Sequence, residues 1–290
     1  MIRKKPRVTV IGTGALGGAL IDFFHQCDHY QLLSIWNSSH GILFDETGAE
    51  KTIQSSLPNT DDQVGDVIFL AVPDDAITPI ANSLASNGLN WTNKSVVHCS
   101  GNLSSDALKA LSDVDCTTAS MHPIQTFKRG DKADRFEGIF INLEGNSEVI
   151  KFLDDLVKKM VANSVVLTKY QKSILHIAAV FSSNYLVALM HQTEKILNRA
   201  ELNEGISLLE QLINQTLQNV LDKGTVEALT GPISRGDVNS VQKHLELIEG
   251  DPSSKKLYKM MGRIAIEITA QRKEVQPEKL QQLRDLLNDK

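Results

Sequence analysis

Gly12-Thr13-Gly14-Ala15-Leu16-Gly17 carries glycines at the spacing G-x-G-x-x-G. That spacing serves one kind of chemistry, the close approach of bare backbone to a diphosphate. The motif follows the apolar run Val8-Thr9-Val10-Ile11 and opens a stretch from Ala15 to His25. Within it Leu16, Ala19, Leu20, Phe23 and Phe24 recur at helical spacing. In such a strand–turn–helix, Gly12 makes the tight turn, Gly14 admits the pyrophosphate and Gly17 lets helix and strand pack closely. Amides at the helix start then face the phosphates. The expected ligand is a nicotinamide dinucleotide held by Gly12, Thr13, Gly14, Ala15, Leu16 and Gly17.

The end of the next strand discriminates between two such ligands. A carboxylate there would accept from the adenine ribose 2′-hydroxyl and repel a 2′-phosphate. The position is instead Asn37, followed by Ser38, Ser39 and His40, and Asp45 comes too late to serve. Uncharged donors suit a 2′-phosphate, although no Arg or Lys supplies the usual countercharge. The expected cofactor is NADP(H) rather than NAD(H). Ala71, Val72 and Pro73 close the strand that begins at Val67, so their backbone should lie beside the nicotinamide ribose. Pro73 and Asp74 also suit the end of a strand and the cap of the following helix.

Hydride transfer to a carbonyl or imine needs a group to polarise the acceptor and a group to handle a proton. The candidates fall in clusters. Ser100, beside His98 and Gly101, follows a strand end and is placed to hydrogen-bond a substrate or to start a turn. His122 precedes Pro123, which holds it out of the α region and limits where its ring points. His176, Ser183 and Asn184 lie in one apolar helical stretch. On a continuous helix His176 and Ser183 share a face, with Asn184 beside it and Lys172 one turn before. Arg235 has the chemistry to clamp a carboxylate or to pair with an acid, while Asp237 suits the cap of the helix from Val238. His122 or His176 is the expected proton donor, Ser183 and Asn184 the orienting groups. No metal is expected, because the histidines are scattered and none pairs with a carboxylate at ligand spacing.

Positioning these groups requires an α/β first half. Leu32 to Trp36, Val67 to Val72, Ser95 to His98 and Thr117 to Met121 read as strands between helices, which belongs to a mostly parallel sheet. Gly138 to Asn142 and Ser164 to Leu167 extend one edge. Beyond Lys169 strand signals stop, giving a Rossmann domain over 1–165 and an all-helical domain over 166–290. Ser173 to Arg199 is apolar nearly all round and reads as a central buried helix. Further helices are expected over Ser207 to Leu221, Val238 to Glu249, Ser254 to Arg272 and Pro277 to Leu287. The chain has 290 residues, a net charge of −5 and 41% hydrophobic residues. The acidic balance argues against nucleic acid or an anionic membrane as partner. No uninterrupted run of about 18 apolar residues appears, so no span is expected. The basic start is followed by too short an apolar run for an export signal. Cys27, Cys99 and Cys116 have no C-x-x-C spacing and read as buried thiols of a cytoplasmic protein.

With these segments in view, the chain resembles the Rossmann-like proteins that carry the helical domain of unknown function 2520. These are relatives of pyrroline-5-carboxylate, ketopantoate and deazaflavin-dependent NADP reductases. The resemblance rests on Gly12 to Gly18, Ala71-Val72-Pro73-Asp74-Asp75 and His98-Cys99-Ser100-Gly101. It extends through Met121 to Phe127, His176 to Leu186 and Thr230 to Asp237. It implies an NADP-binding oxidoreductase acting on a small molecule. It also implies a helical domain of the 6-phosphogluconate-dehydrogenase-like type and a homodimer joined through that domain. The alternative left open is a non-catalytic NADP(H)-binding or sensing homodimer that acts through its helical domain.

Overall fold

The described residues begin with the strand–helix–strand unit that the glycine spacing requires. The structure is a computed structural model that describes residues 5–39, 41–44 and 50–288; His40 and Asp45 lie outside them. Two units are distinguished, Met1–Ser182 and Ser183–Lys290. The first runs β1 (Arg7–Ile11), α1 (Ala15–Gln26), β2 (Gln31–Trp36), β3 (Gly41–Phe44), β4 (Glu50–Gln54), β5 (Val67–Leu70) and α2 (Asp74–Ala85). It continues through β6 (Ser95–His98), α3 (Lys109–Ser112), β7 (Thr117–Pro123), β8 (Phe140–Gly145), α4 (Ser147–Lys159), β9 (Asn163–Val166) and α5 (Lys169–Ser182). Among the described residues the strands form one sheet in the order β3-β4-β2-β1-β5-β6-β7-β8-β9. Pairing is parallel except between β3 and β4 and between β7 and β8.

Alternation along the strands sorts side chains onto the sheet's two faces. Val8 and Val10 of β1, with Ala119 and Met121 of β7, join a core with Leu20 and Phe24 of α1 and Leu153 and Val157 of α4. Ile68, Leu70 and Val96 join Ile77 and Leu84 of α2 and Leu111 of α3 in a second core. On β7, Thr118, Ser120 and His122 fall between the apolar positions, so the strand turns a polar row away from the first core. The strand register sets that row against its neighbours: His98 pairs Ser120, Ser120 pairs Glu144, and His122 pairs Asn142.

The second unit consists of α6 (Asn184–Arg199), α7 (Glu210–Ala228), α8 (Val238–Leu247), α9 (Pro252–Arg272) and α10 (Pro277–Leu287), with 3₁₀ turns before α7 and before α8. Its core draws on Ile233, Val241, Leu245, Ile266, Leu280, Leu283 and Leu287. Pro277 opens α10 and the face Leu280, Leu283, Leu287 is buried, as the spacing implies.

The stretch expected as one buried helix from Ser173 to Arg199 differs in two ways. Ser183 interrupts it at φ −122°, ψ −69°, between α5 and α6. Just before the break the Ser182 hydroxyl donates to the carbonyls of Ala178 and Ala179, a back-bond that bends helices. The continuous phase that would put His176 and Ser183 on one face is therefore lost. The helices are also exposed: α5 buries only Lys172, and α6 buries no residue. Apolar periodicity marks surface that needs covering but does not supply the cover. By length and composition alone, Lys169–Arg199 is apolar enough to cross a membrane, contrary to the expectation from uninterrupted runs. Its polar residues, His176 and Ser182 to Asn184 among them, break any such run without making the whole stretch polar.

Candidate functional site

The glycine turn has the stereochemistry its spacing implies. Gly12 has φ +103°, a conformation that side chains rarely adopt, and a Cβ there would overlap the Ala71 carbonyl. A Cβ on Gly17 would overlap the Gly12 carbonyl, so α1 packs against the turn only because Gly17 lacks one. Gly14 instead faces open space, is exposed, and occupies the cap position of α1 with no side chain capping it. Carboxylates are absent from the first turn of α1. The first amides of the helix are thus left for an external acceptor. Thr13, Ala15 and Leu16 are half-buried around this edge.

Beside the turn lies a pocket of about 310 Å³ lined by Gly12, Trp36, Asn37, Ser38, Val72 and Pro73, with Ser55 and Ser56 on its far wall. The Asn37 amide donates to the Gln54 carbonyl at 2.9 Å, tying the end of β2 to β4. Asn37 Nδ2 donates to Ser39 Oγ at 3.2 Å. Ala71 is held by its amide on the Ile11 carbonyl, and Pro73 precedes Asp74 and Asp75 in the first turn of α2. This is a cradle that side chains would fill, next to a pocket of adenosine dimensions bordered by amide and hydroxyl groups. The residues present fit a dinucleotide.

A second cluster forms where β6, β7, β8 and α5 meet. His98 is buried, receives the Ser100 amide on Nδ1 and donates from Nε2 to the Ser104 carbonyl. Both ring nitrogens are spent, and burial lowers its pKa to about 4. His98 therefore shapes the turn and has no nitrogen left for a substrate. Ser100 Oγ accepts the amides of Asn102 and Leu103, closing the same turn. Lys172 is buried and donates from Nζ to the Ser100 carbonyl at 2.7 Å and to Asn142 Oδ1 at 3.3 Å. Burial pulls the lysine down to about 8, against the opposing charge of Glu144. Glu144, itself buried, accepts from the Ser105 amide, Ser105 Oγ and Ser120 Oγ.

His122 completes this cluster. Its Nδ1 contacts the Cys99 carbonyl at 3.1 Å, and a carbonyl only accepts, so Nδ1 carries the proton. Burial lowers the ring to about 4, with the Lys172 and His176 charges acting in the same sense. Near neutral pH His122 is then a neutral imidazole with a lone pair on Nε2. This tautomer makes it a proton acceptor, whereas its sequence context suggested a donor. The His122 and His176 rings lie edge to face with centroids 6.5 Å apart.

Ser100, His122 and His176 are thus brought together in the first unit. Ser183, Asn184 and Arg235 belong to the second. There Ser183 Oγ donates to Asn184 Oδ1 at 3.0 Å. Arg235 ends a 3₁₀ turn, is exposed and has no ion pair among the described residues. Asp237 caps α8 as expected, accepting from the Ser240 amide at 3.0 Å. The sequence reading passed over Ser55, Ser56, Asn142 and Glu144. The first two depend on β4, whose Glu50-Lys51-Thr52-Ile53-Gln54 is too polar to read as a strand. The others are polar residues of β8, a strand between β7 and β9 whose neighbours only the fold supplies. No cluster of metal-ligating residues occurs among the described residues.

Residues 2–123 match the Rossmann-like domain family, and residues 139–265 match the domain of unknown function DUF2520. No curated protein matches the chain in sequence. Among solved structures, protein TM1727 from Thermotoga maritima is 25% identical, with a TM-score of 0.69 over 92% of this chain and 100% of that one. A Bacteroides fragilis protein, BF3122, provisionally called an NADP oxidoreductase, is 18% identical, with a TM-score of 0.70 over 90% of this chain and 98% of that one. An imine reductase from Myxococcus stipitatus in complex with NADP+ is 15% identical, with a TM-score of 0.59 over 92% and 95%. These likenesses establish the architecture, a Rossmann-like domain followed by a helical one.

Proposed function

Because the chain is a Rossmann-like protein with a C-terminal domain of unknown function 2520, we propose that it is an NADP(H)-dependent oxidoreductase. It transfers hydride between nicotinamide and a small carbonyl or imine substrate. The observation that carries this reading is the Gly12–Gly17 turn, whose crowded glycines and open Gly14 edge present free helix amides to a diphosphate. NADP(H) is favoured over NAD(H) because Asn37, Ser38, Ser55 and Ser56 border the pocket and, among the described residues, no carboxylate lines it. Bound there, the cofactor supplies the hydride chemistry. The chain's own residues hold it, exclude water around Ser100 and Lys172, and offer His122 and His176 to the reacting group. The exposed apolar faces of α6 and α7 support a homodimer through the helical unit.

Thermal-shift titration against NADPH, NADH and their oxidised forms tests the cofactor. A ligand at about 100 times its dissociation constant stabilises by about 2.7 kcal/mol. NADPH should shift the melting temperature at lower concentration than NADH. Asn37→Asp should reverse that order by about tenfold or more, since a carboxylate accepts the 2′-hydroxyl and repels the 2′-phosphate. No shift with any of the dinucleotides would remove the cofactor assignment.

A further inference from the structure

The chain that leaves β7 passes the ligand edge of the sheet before it returns as β8. Strand register puts the end of β1 level with Ser120 of β7, through the pairs Ile11–Leu70, Leu70–His98 and His98–Ser120. Strand β7 continues to Pro123, so residues 124–132 start beyond the strand ends, where open α/β sheets bind their ligands. They then come down onto α1. Asp22 accepts from Lys132 Nζ and from the Ala133 amide, both at 2.9 Å. Phe127 packs against the core that α1 enters, its ring 5.2 Å from that of Phe136. The tip of this strap is a turn fixed by its own residues. The Asp131 amide donates to the Lys128 carbonyl at 3.1 Å, and the Lys128 amide donates to Asp131 Oδ2 at 2.7 Å. Gly130 has φ +97°, as the third residue of a type II turn requires, which leaves Arg129 at the corner.

Residues 124–136 carry Lys128, Arg129, Lys132 and Arg135 against Asp131 and Asp134, a positive excess in a chain of net charge −5. Lys132 is engaged by Asp22, and Arg135 by Asp131 and the Thr126 carbonyl. The side chains of Lys128 and Arg129 are exposed and have no partner among the described residues. On α1, Gly14, Gly18 and Asp22 recur every four residues and so share one face. A Cβ on Gly14 or Gly18 would meet nothing within 4 Å, so this face is bare and open from the helix start to the strap's anchor. Asp22 lies about 10 Å along the axis from Ala15, a span that three residues of chain and an extended arginine side chain cover. We infer that Arg129, with Lys128 beside it, closes over this face and clamps the diphosphate of the bound dinucleotide opposite the free amides of α1. This rests on the dinucleotide reading above and gives that site a countercharge. Helix amides offer only partial charge, whereas a guanidinium fork pairs two phosphate oxygens at once. Unlike the pocket at Asn37, the strap meets a group that NADP(H) and NAD(H) share, so it adds affinity for both and no preference between them.

Calorimetric titration of the full chain with NADPH, NADH, ADP and 2′-AMP tests the clamp without any turnover, because 2′-AMP has no diphosphate. Arg129→Ala should weaken NADPH, NADH and ADP alike, by about tenfold or more, and leave 2′-AMP unchanged. Lys128→Ala should weaken the same three by a smaller factor. Arg129→Lys should recover part of the loss, since an ammonium keeps the charge without the fork. The difference between wild type and Arg129→Ala should narrow at high salt. Both positions are exposed, so the variants should melt with the wild type in the absence of ligand. Failure of the wild-type chain to bind any dinucleotide defeats the broader functional reading. Unchanged affinities in Arg129→Ala, or a loss confined to NADPH and 2′-AMP, defeat the diphosphate clamp alone.

Discussion

His122 and His98 owe their chemistry to the same cause, withdrawal from water beside a buried lysine. Both are held at about 4, against an ordinary 6.5. A histidine whose native pKa is depressed leaves the unfolded chain binding more protons between those two values. Its contribution to stability is therefore full above 6.5 and is lost as pH falls through 6.5 toward about 4. Urea unfolding at pH 7 and at pH 4.5 should show a clear loss of stability. His122→Asn removes one of the titrating rings while keeping a side-chain donor for the Cys99 carbonyl. It should reduce the loss between the two pH values by about 1–2 kcal/mol. Equal losses in the two proteins would mean that His122 is not held neutral by the fold.

At the scale of elements, Glu144 ties together the strands beneath the second cluster. It joins β8 to β7 through Ser120 and to the turn after β6 through Ser105, with its carboxylate enclosed. Glu144→Gln keeps the size but turns an amide donor toward groups that themselves donate. It should cost about 1–3 kcal/mol, read as a lower urea midpoint at an unchanged slope. An unaltered midpoint would show that the serines do not depend on the charge. Such links explain what could and could not be read from the chain alone. Strands β1, β2, β5, β6 and β7 are dense in apolar and β-branched residues, and the glycine turn fixes its own geometry, so both were legible. Strands β3 and β4 were not: β4 reads Glu50-Lys51-Thr52-Ile53-Gln54, mostly polar, and the pair joins the sheet by a single short pairing to β2. Asn142 and Glu144 became site residues only through the antiparallel register of β7 and β8. The break at Ser183 has no proline or glycine to announce it, so helical periodicity ran straight across it.

At the scale of the whole molecule, the second unit presents more apolar surface than its own core absorbs. The segment α7, broken at Gly224 (φ +77°, ψ +168°), buries only Ala228, while α6 spans 16 residues and buries none. Leu217 and Leu221 lie one turn apart on α7, with Leu221 at 80% relative exposure, and Val187 on α6 is at 70%. Scattered exposed leucines are ordinary, but a helix whose inner face, Leu186, Leu189 and Met190 on α6, is no more than half-buried leaves apolar area to cover. A second copy of the helical unit offers the same unsatisfied surface, and a two-fold interface is self-complementary by construction. A stable interface of this kind requires roughly 1,200 Å² or more of total buried surface. Sedimentation equilibrium of the full chain should therefore report twice the chain mass at micromolar concentration. Leu217→Glu combined with Leu221→Glu places charge only on exposed positions, so the first unit's fold and its NADPH binding should persist. The expected result is a shift to monomer with a lower melting temperature, because desolvating the glutamates would cost more than the contacts return. A wild-type chain that sediments as a stable monomer would leave α6 and α7 covered by some other means and end the dimer proposal.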